Sequence, residues 1–171
     1  MPKCTILVGV PGSGKSTWLE QNAIDDSWII STDATIHEIA TQYGLTYNDG
    51  FKTLIGFAER VMLNDLTMAA EAGDMIYIDR TNLSAKSRKK FIDFLKPYGY
   101  IFEAVVFPEP GSEALPEEEW KRRLANRPGK TIPDYVLESM ADNYEIPLMS
   151  EGFWSSHLLV DIFCEITYKK L

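Results

Sequence analysis

Thr5-Ile6-Leu7-Val8 runs directly into Gly9-Val10-Pro11-Gly12-Ser13-Gly14-Lys15-Ser16. The first four residues are apolar or β-branched and stop at a glycine, as a buried strand does. The next eight form a complete GxxxxGKS, and residues ~15–24 read as a helix. A strand, a glycine-rich loop and a helix in that order wind backbone N–H groups around a phosphate and place the positive end of the helix dipole behind it. Lys15 is then set to reach the β- and γ-phosphates, and the Ser16 hydroxyl to ligate Mg²⁺. Gly9, Pro11, Gly12, Ser13, Gly14, Lys15, Ser16 and Thr17 are the expected nucleotide-binding residues. A chance glycine-rich turn would carry the letters without the strand before and the helix after.

Beyond the loop, strands and helices alternate. Trp28-Ile29-Ile30-Ser31-Thr32 reads as a second strand, and residues ~34–43 as a helix. From Lys52 to Ala72, Leu54, Ala58, Val61, Met62, Leu66 and Ala69 recur at helical spacing, with Gly73 as the stop. Met75-Ile76-Tyr77-Ile78 is a third strand ending at Asp79. Ser84 caps a helix that carries Phe91 and Leu95 on one face and stops at Pro97. Phe102 to Phe107 is a fourth strand, Glu117 to Ala125 a helix, and Pro133 opens another with Val136 and Met140 on one side. Leu158-Leu159-Val160-Asp161-Ile162 is the expected fifth strand. Continuously apolar strands separated by helices call for a parallel sheet covered on both faces, with ligands beyond the carboxyl ends of the strands.

The chain has 171 residues, the length of one domain. Hydrophobic residues make up 45% and charged residues 25%, which excludes a disordered chain. Cys4 and Cys164 are the two cysteines, at opposite ends, so neither a disulfide framework nor a zinc site of paired CxxC is expected. They read as buried small hydrophobes in a reducing, cytoplasmic compartment. No apolar run reaches the ~18 residues of a membrane span, and the N-terminus leads straight into the motif, which leaves no room for a signal peptide. With 17 basic and 25 acidic residues the net charge is −8. That disfavours wrapping long nucleic acid through counterion release, but not gripping an end through a local basic patch. Two basic clusters exist: Lys121, Arg122, Arg123, Arg127 and Lys130, and Lys86, Arg88, Lys89 and Lys90. The second reads as an exposed helix coat.

The reaction class follows partly by elimination. An NKxD guanine-reading motif is missing, Asp79 is followed by Arg80 and not by the Glu that readies a water in many motors, and no ABC-type signature occurs. Phosphoryl transfer to an acceptor hydroxyl remains. Asp33, just past the second strand, suits a general base that orients the acceptor oxygen; a pure helix cap is the lesser alternative, and the two roles are compatible. Asp79 could hold a water on Mg²⁺, or simply serve a turn-rich Asp79-Arg80-Thr81-Asn82. Arg123 and Arg127, four apart, share a helix face and suit a lid over about 117–133 that covers the equatorial oxygens; a solvated surface face is the alternative. His37 and His157 lack partners at ligand spacing, and the four tryptophans read as packing.

These residues resemble the kinase domain of phage polynucleotide 5′-hydroxyl kinases, within the small P-loop kinases. Pro11 to Trp18 is similar to that family's phosphate loop, and Thr32-Asp33 stands where the family has an Arg-Asp pair whose Asp is the base. Asp79-Arg80-Thr81-Asn82-Leu83 resembles its Asp-x-Thr-Asn-Leu element, Arg123 to Pro133 its lid, and Glu151-Gly152-Phe153 a late Glu-Gly-Phe element. The resemblance implies one P-loop kinase domain over 1–171. It also implies an α/β three-layer sandwich with a five-stranded parallel sheet of the adenylate-kinase sort. The expected activity is ATP-dependent transfer of the γ-phosphate to a 5′-hydroxyl of DNA or RNA. A P-loop kinase of a nucleoside, a nucleotide or a modified base hydroxyl in DNA is the alternative, with a sugar-nucleotide kinase as a remoter form. A nucleotide-binding regulatory module is a third reading, against which Asp33 and the lid arginines speak. Two departures stand out. The family arginine three residues after the base, which grips a substrate phosphate, is Ile36 here, expected to form an apolar wall facing the acceptor unless Arg80 supplies the grip. The DxDxT motif of the family's phosphatase domain does not occur, so 3′-phosphatase activity is not implied.

Overall fold

The computed structural model describes residues 1–159 and 168–170. The chain runs β1 (Lys3–Val8), α1 (Lys15–Asn22), β2 (Trp28–Ile30), α2 (Thr32–Gln42), α3 (Tyr47–Ala72), β3 (Ile76–Ile78) and α4 (Ala85–Leu95). It continues through β4 (Ile101–Val106), α5 (Glu117–Ala125), α6 (Asp134–Asp142), β5 (Phe153–Leu159) and β6 (Tyr168–Lys170). The sheet order is β2-β3-β1-β4-β5-β6. The first five strands in that order are mutually parallel, and β6 adds an antiparallel edge.

The three layers follow from the period of two along each strand. Ile6, Val8, Ile76, Ile78, Phe102, Ala104 and Val106 face α3 and α4, where Leu66, Ala69, Ala70, Phe91, Ile92 and Leu95 meet them. Leu7, Tyr77, Val105 and Phe107 face the other way, against Trp18 and Leu19 of α1. Trp18 packs edge-on to Tyr77 and Phe107 at 6.2 and 6.3 Å. Each buried aliphatic side chain stabilises by roughly 1.5–3 kcal/mol. Two apolar faces per strand therefore outweigh any single polar contact in fixing the sheet. No helix among the described residues is long and apolar enough to cross a membrane.

Several boundaries move from the sequence expectation, each for a local reason. β2 ends at Ile30 because Ser31 caps α2, accepting from the Ala34 amide at 3.3 Å. α3 starts at Tyr47, not Lys52, because Thr46 and Asp49 form a capping box. Gly50 inside it lets α2 approach: a Cβ there would sit 3.1 Å from the Ala40 Cβ. β5 starts at Phe153, ahead of the expected Leu158, since Ser155 reaches Glu103 on β4 at 3.2 Å and a polar stretch joins the ladder. Leu158 and Leu159 belong to β5; residues 160–162 and Cys164 lie outside the described residues. Cys4 is a buried free thiol whose pKa burial pushes up.

Three side chains depart from their expected places. Ile36 is fully buried, packed with Tyr47 and Ala58 between α2 and α3, so it is no wall of an acceptor site. Arg88, expected on an exposed face, is also fully buried. Its guanidinium forks onto Glu151 with two bonds of 2.8 Å and donates to the carbonyls of Asn82, Leu83 and Glu145. Trp154 is 73% exposed and not a packing residue.

Candidate active site

The loop after β1 is built by steric necessity. Gly12 and Gly14 have φ of 80° and 107°, a region that side chains with a Cβ rarely adopt. A Cβ on Gly9 would lie 2.6 Å from Ser13 Oγ and 2.8 Å from Phe107 Cβ. Gly14 is the N-cap of α1 and supplies no side-chain cap, so the first amides of that helix remain available to an anion. Ser13 is buried, and its hydroxyl has no hydrogen-bond partner among the described residues. Ser16 and Thr17 are exposed at the mouth. The Lys15 ammonium donates to the carbonyls of Gly9 and Val10, both at 2.8 Å. Desolvation there pushes its pKa down to about 8 against the attraction of Asp79.

The turn after β3 buckles this loop to the sheet. The Gly9 amide donates to the Thr81 carbonyl at 3.0 Å. Asn82 is buried with φ of 49°, and its amide donates to the Leu7 carbonyl at 2.7 Å. Asp79 is half-buried; burial raises its carboxyl pKa, and the neighbouring Asp33 charge adds to that against the pull of Lys15.

Asp33 sits in the first turn of α2, where Ser31 and not Asp33 is the cap. Its carboxylate is free of capping duty and is held elsewhere. The Tyr47 hydroxyl donates to Oδ1 at 2.6 Å, and the Lys130 ammonium donates to Oδ2. Burial alone would raise the Asp33 pKa, but the Lys130 charge and the bonds from Lys130 and Tyr47 outweigh it, and the carboxyl titrates below its ordinary value. The side chain still exposes 55% of its surface.

α5 lies against the phosphate loop. The Trp120 indole donates to the Pro11 carbonyl at 2.7 Å, and a Cβ on Gly12 would touch Trp120 and Leu124 at 3.3 Å each. Glu119 accepts from Arg122 and Arg123 at 2.7 Å each, which drives its pKa down to about 2. Arg123 also points a nitrogen at the Gly12 carbonyl, 3.5 Å away. Arg127 carries a buried Nη1 with no hydrogen-bond partner among the described residues. After Arg127 the chain docks on the start of α3. The Asn48 amide donates to the Gly129 carbonyl at 3.2 Å, and the Asn48 side chain exchanges bonds of 3.0 and 3.1 Å with Thr131.

One groove of about 860 Å³ gathers Lys15, Ser16, Thr17, Asp33, Asp79, Arg123 and Arg127, together with Tyr47, Arg80, Arg122 and Lys130. A second cavity of about 720 Å³, walled by Phe107, Trp120, Leu124, Leu137 and Tyr144, shares Arg127 and Lys130 with it. Tyr47 and Lys130 are the functional candidates that sequence patterning missed. Tyr47 falls in the gap before the expected helix, although the Thr46-x-x-Asp49 box marks the true start. In the sequence Lys130 is one charge in a cluster, with nothing local to tie it to Asp33.

The groove fits a nucleoside triphosphate with Mg²⁺. It offers the backbone of Gly12 and Gly14, the Lys15 side chain and Arg127 with its buried Nη1, all suited to anionic oxygens. No cluster of three or more His, Cys, Asp or Glu able to hold a metal occurs among the described residues. A nucleotide-bound Mg²⁺ needs none, since phosphates and water supply most of its ligands. Ser16 and Asp79 are the residues that would face it.

Comparison with known proteins places the chain in a family and a fold. The family AAA_33, described as an AAA domain, matches residues 5–147. The bifunctional polynucleotide phosphatase/kinase of Schizosaccharomyces pombe (strain 972 / ATCC 24843) is 26% identical over 149 residues, which are 86% of this chain and 31% of that protein. The chain thus spans about a third of the length of this curated relative. A chain from the Pnkp1/Rnl/Hen1 RNA repair complex superimposes with a TM-score of 0.58 at 25% identity, covering 83% of this chain and 43% of that one. A chain from the PezAT chromosomal toxin-antitoxin system of Streptococcus pneumoniae superimposes with a TM-score of 0.63 at 19% identity, covering 92% and 66%, and shows the shared fold. The chain belongs to the AAA_33 family of AAA domains and is a P-loop kinase-like protein.

Proposed function

We propose that this chain is an ATP-dependent phosphotransferase that moves the γ-phosphoryl group to the 5′-hydroxyl of a DNA or RNA end. The carrying observation is that one groove joins the phosphate loop to the open face of the Asp33 carboxylate. Such a layout holds a donor phosphate and an acceptor hydroxyl in line, which is most of what phosphoryl transfer requires. The nucleic-acid acceptor is supported by likeness to the polynucleotide phosphatase/kinase and to the RNA repair complex.

In this scheme the amides of the Gly9–Ser16 loop and the Lys15 ammonium bind the β- and γ-phosphates. Asp33 accepts a hydrogen bond from the acceptor hydroxyl, aims its oxygen and takes its proton as transfer completes. Arg123 and Arg127, on a lid over about 117–133, cover the equatorial oxygens as charge spreads over them. Mg²⁺, when bound, neutralises charge on the β- and γ-oxygens. Ser16 and Asp79 are the residues that would hold it.

A kinase of a nucleoside, nucleotide or modified base in DNA is the second reading. Buried Ile36 favours it, because no arginine stands there to grip a polynucleotide phosphate. Transfer of labelled γ-phosphate from ATP to a 5′-hydroxyl oligonucleotide, to nucleosides and to modified DNA tests both. Asp33→Asn should keep ATP binding and lose transfer by about 10²- to 10⁴-fold. Label on none of these acceptors, or full activity in Asp33→Asn, would overturn the assignment.

A further inference from the structure

We infer that Lys130 and Tyr47 are positioning residues for Asp33, tying the orientation and charge of that carboxylate to the docking of the 127–131 segment on α3. The inference rests on Asp33 being the base proposed above.

Both oxygens of Asp33 are engaged, one by each partner. Lys130 is itself seated. Its side chain is only 12% exposed, and its ammonium lies 3.9 Å from the centroid of the Tyr47 ring. Tyr47 is buried, and burial together with its bond to Asp33 pushes the phenol pKa up, so it stays a donor. The three groups come from three separate elements and meet at one point. Lys130 reaches that point because the Asn48 contacts hold Gly129 and Thr131 to the head of α3. A displaced segment would take the ammonium with it, leaving one oxygen of Asp33 unconstrained.

Such a clamp suits a loose transition state. The acceptor proton leaves late, so orientation of the hydroxyl matters more than basicity of the carboxylate. A carboxylate has about four lone-pair sites, so two protein donors still leave room for the hydroxyl on the exposed side. The other charges facing Asp33 are Arg127 from the same segment, Asp79 from the end of β3 and Lys15 from α1; Arg80 faces Tyr47. Arg127 and Lys15 favour the ionised carboxylate and Asp79 opposes it. Lys130 makes the largest attractive contribution among them.

The direct test is the ¹³C NMR titration of Asp33 in protein labelled at aspartate carboxyls, with the signal assigned by Asp33→Asn. In the wild type it should titrate below the ordinary aspartate value. Lys130→Met should raise it by about one unit or more, Lys130→Arg should leave it low, and Tyr47→Phe should raise it less. This readout needs no acceptor, so it separates from the kinase assignment. With a phosphorylated acceptor in hand, Lys130→Met should cut kcat by about 10- to 100-fold with little change in KM for ATP, move the acid limb of the kcat/KM profile upward, and be rescued by Lys130→Arg. An unshifted Asp33 titration in folded Lys130→Met overturns the inference even if transfer is confirmed. Shifted titration with no transfer to any acceptor leaves the clamp standing and removes the kinase assignment.

Discussion

Arg88 and Glu151 lie 63 residues apart and meet inside the protein through two parallel bonds of 2.8 Å. Arg88 is fully buried, and its third nitrogen collects three carbonyls from the turn after β3 and the segment before β5. One guanidinium thereby holds the Asp79–Leu83 turn, which in turn holds the phosphate loop. Burying a charge is costly, and the cost is offset here because every face of the fork is paired.

Breaking that pair should be severe. Glu151→Gln leaves a buried charge without its counterion, a loss of about 3–5 kcal/mol, or roughly 10 °C in Tm for a chain of this size. Lys89→Ala on the same helix, where Lys89 is 71% exposed and paired to Asp93, should change stability by under about 0.5 kcal/mol. Burial would raise the Glu151 pKa, but the bonds from Arg88 and the Leu148 amide bring it below its ordinary 4.5. A lowered carboxyl pKa contributes stability above pH 4.5 that is lost as pH falls through the folded value. Urea melts from pH 6 to 3 should show this slope in the wild type and a shallower one in Glu151→Gln. Equal stability of the two proteins at pH 7 would sink the claim.

Arg88 also shows where sequence patterning stops. Lys86, Arg88, Lys89 and Lys90 read alike as charges, and helical spacing cannot tell which one turns inward. The deciding partner, Glu151, is distant and has no local signature beyond its Glu-Gly-Phe context. The strands, by contrast, were legible as continuous apolar runs, and the phosphate loop as a string of steric requirements at fixed spacing. Asp33 and Asp79 could be named from their places after strands, and Arg123 and Arg127 from their spacing, but α5 ends at Ala125, so Arg127 lies beyond it and the two do not share a helix face as expected. Tyr47 could not, because its meaning lies in a hydroxyl reaching across from another helix.

Nucleotide binding should take up a proton near pH 9. The Lys15 pKa is pushed from 10.5 to about 8 by burial, so its amine is mostly neutral there. A triphosphate against it favours the charged form and should raise that pKa again. Calorimetric titration with ATP at pH 9, in two buffers of different ionisation enthalpy, should report uptake of most of one proton, and little at pH 6.5. Lys15→Met should abolish the difference. By the same linkage the free protein should gain stability from this group between pH 8 and 10.5, where the unfolded chain holds the extra proton. Absence of proton uptake in the wild type would show that Lys15 is already charged in its carbonyl seat.

Arg127→Ala should lower kcat by about 10²-fold or more while raising KM for ATP only a few-fold. Its buried Nη1 has no hydrogen-bond partner among the described residues, so the side chain is available to charge that develops during transfer. Arg122 is the control, being 65% exposed and paired to Glu119. Arg122→Ala should be within about twofold of wild type. Similar losses at both positions would point to a diffuse electrostatic face and not to a directed cation.

Arg80 is the cation left to meet a phosphate beside the acceptor hydroxyl. Ile36 is buried in the packing of α2 against α3, which removes it from the acceptor side altogether. Arg80 lines the groove with Asp33 and Tyr47, and its Nη1 lies 3.4 Å from the Met62 sulfur, a weak acceptor that a phosphate oxygen would readily replace. A nucleoside 3′-monophosphate should therefore exceed its nucleoside in kcat/KM by more than tenfold, about 1.4 kcal/mol. Arg80→Ala should erase most of that advantage and leave the nucleoside rate nearly unchanged. Ile36→Val should cost about 0.5–1.5 kcal/mol of stability and leave the ratio alone. If the monophosphate gains less than tenfold in the wild type, Arg80 is not its partner, and the acceptor is recognised through its base or sugar face instead.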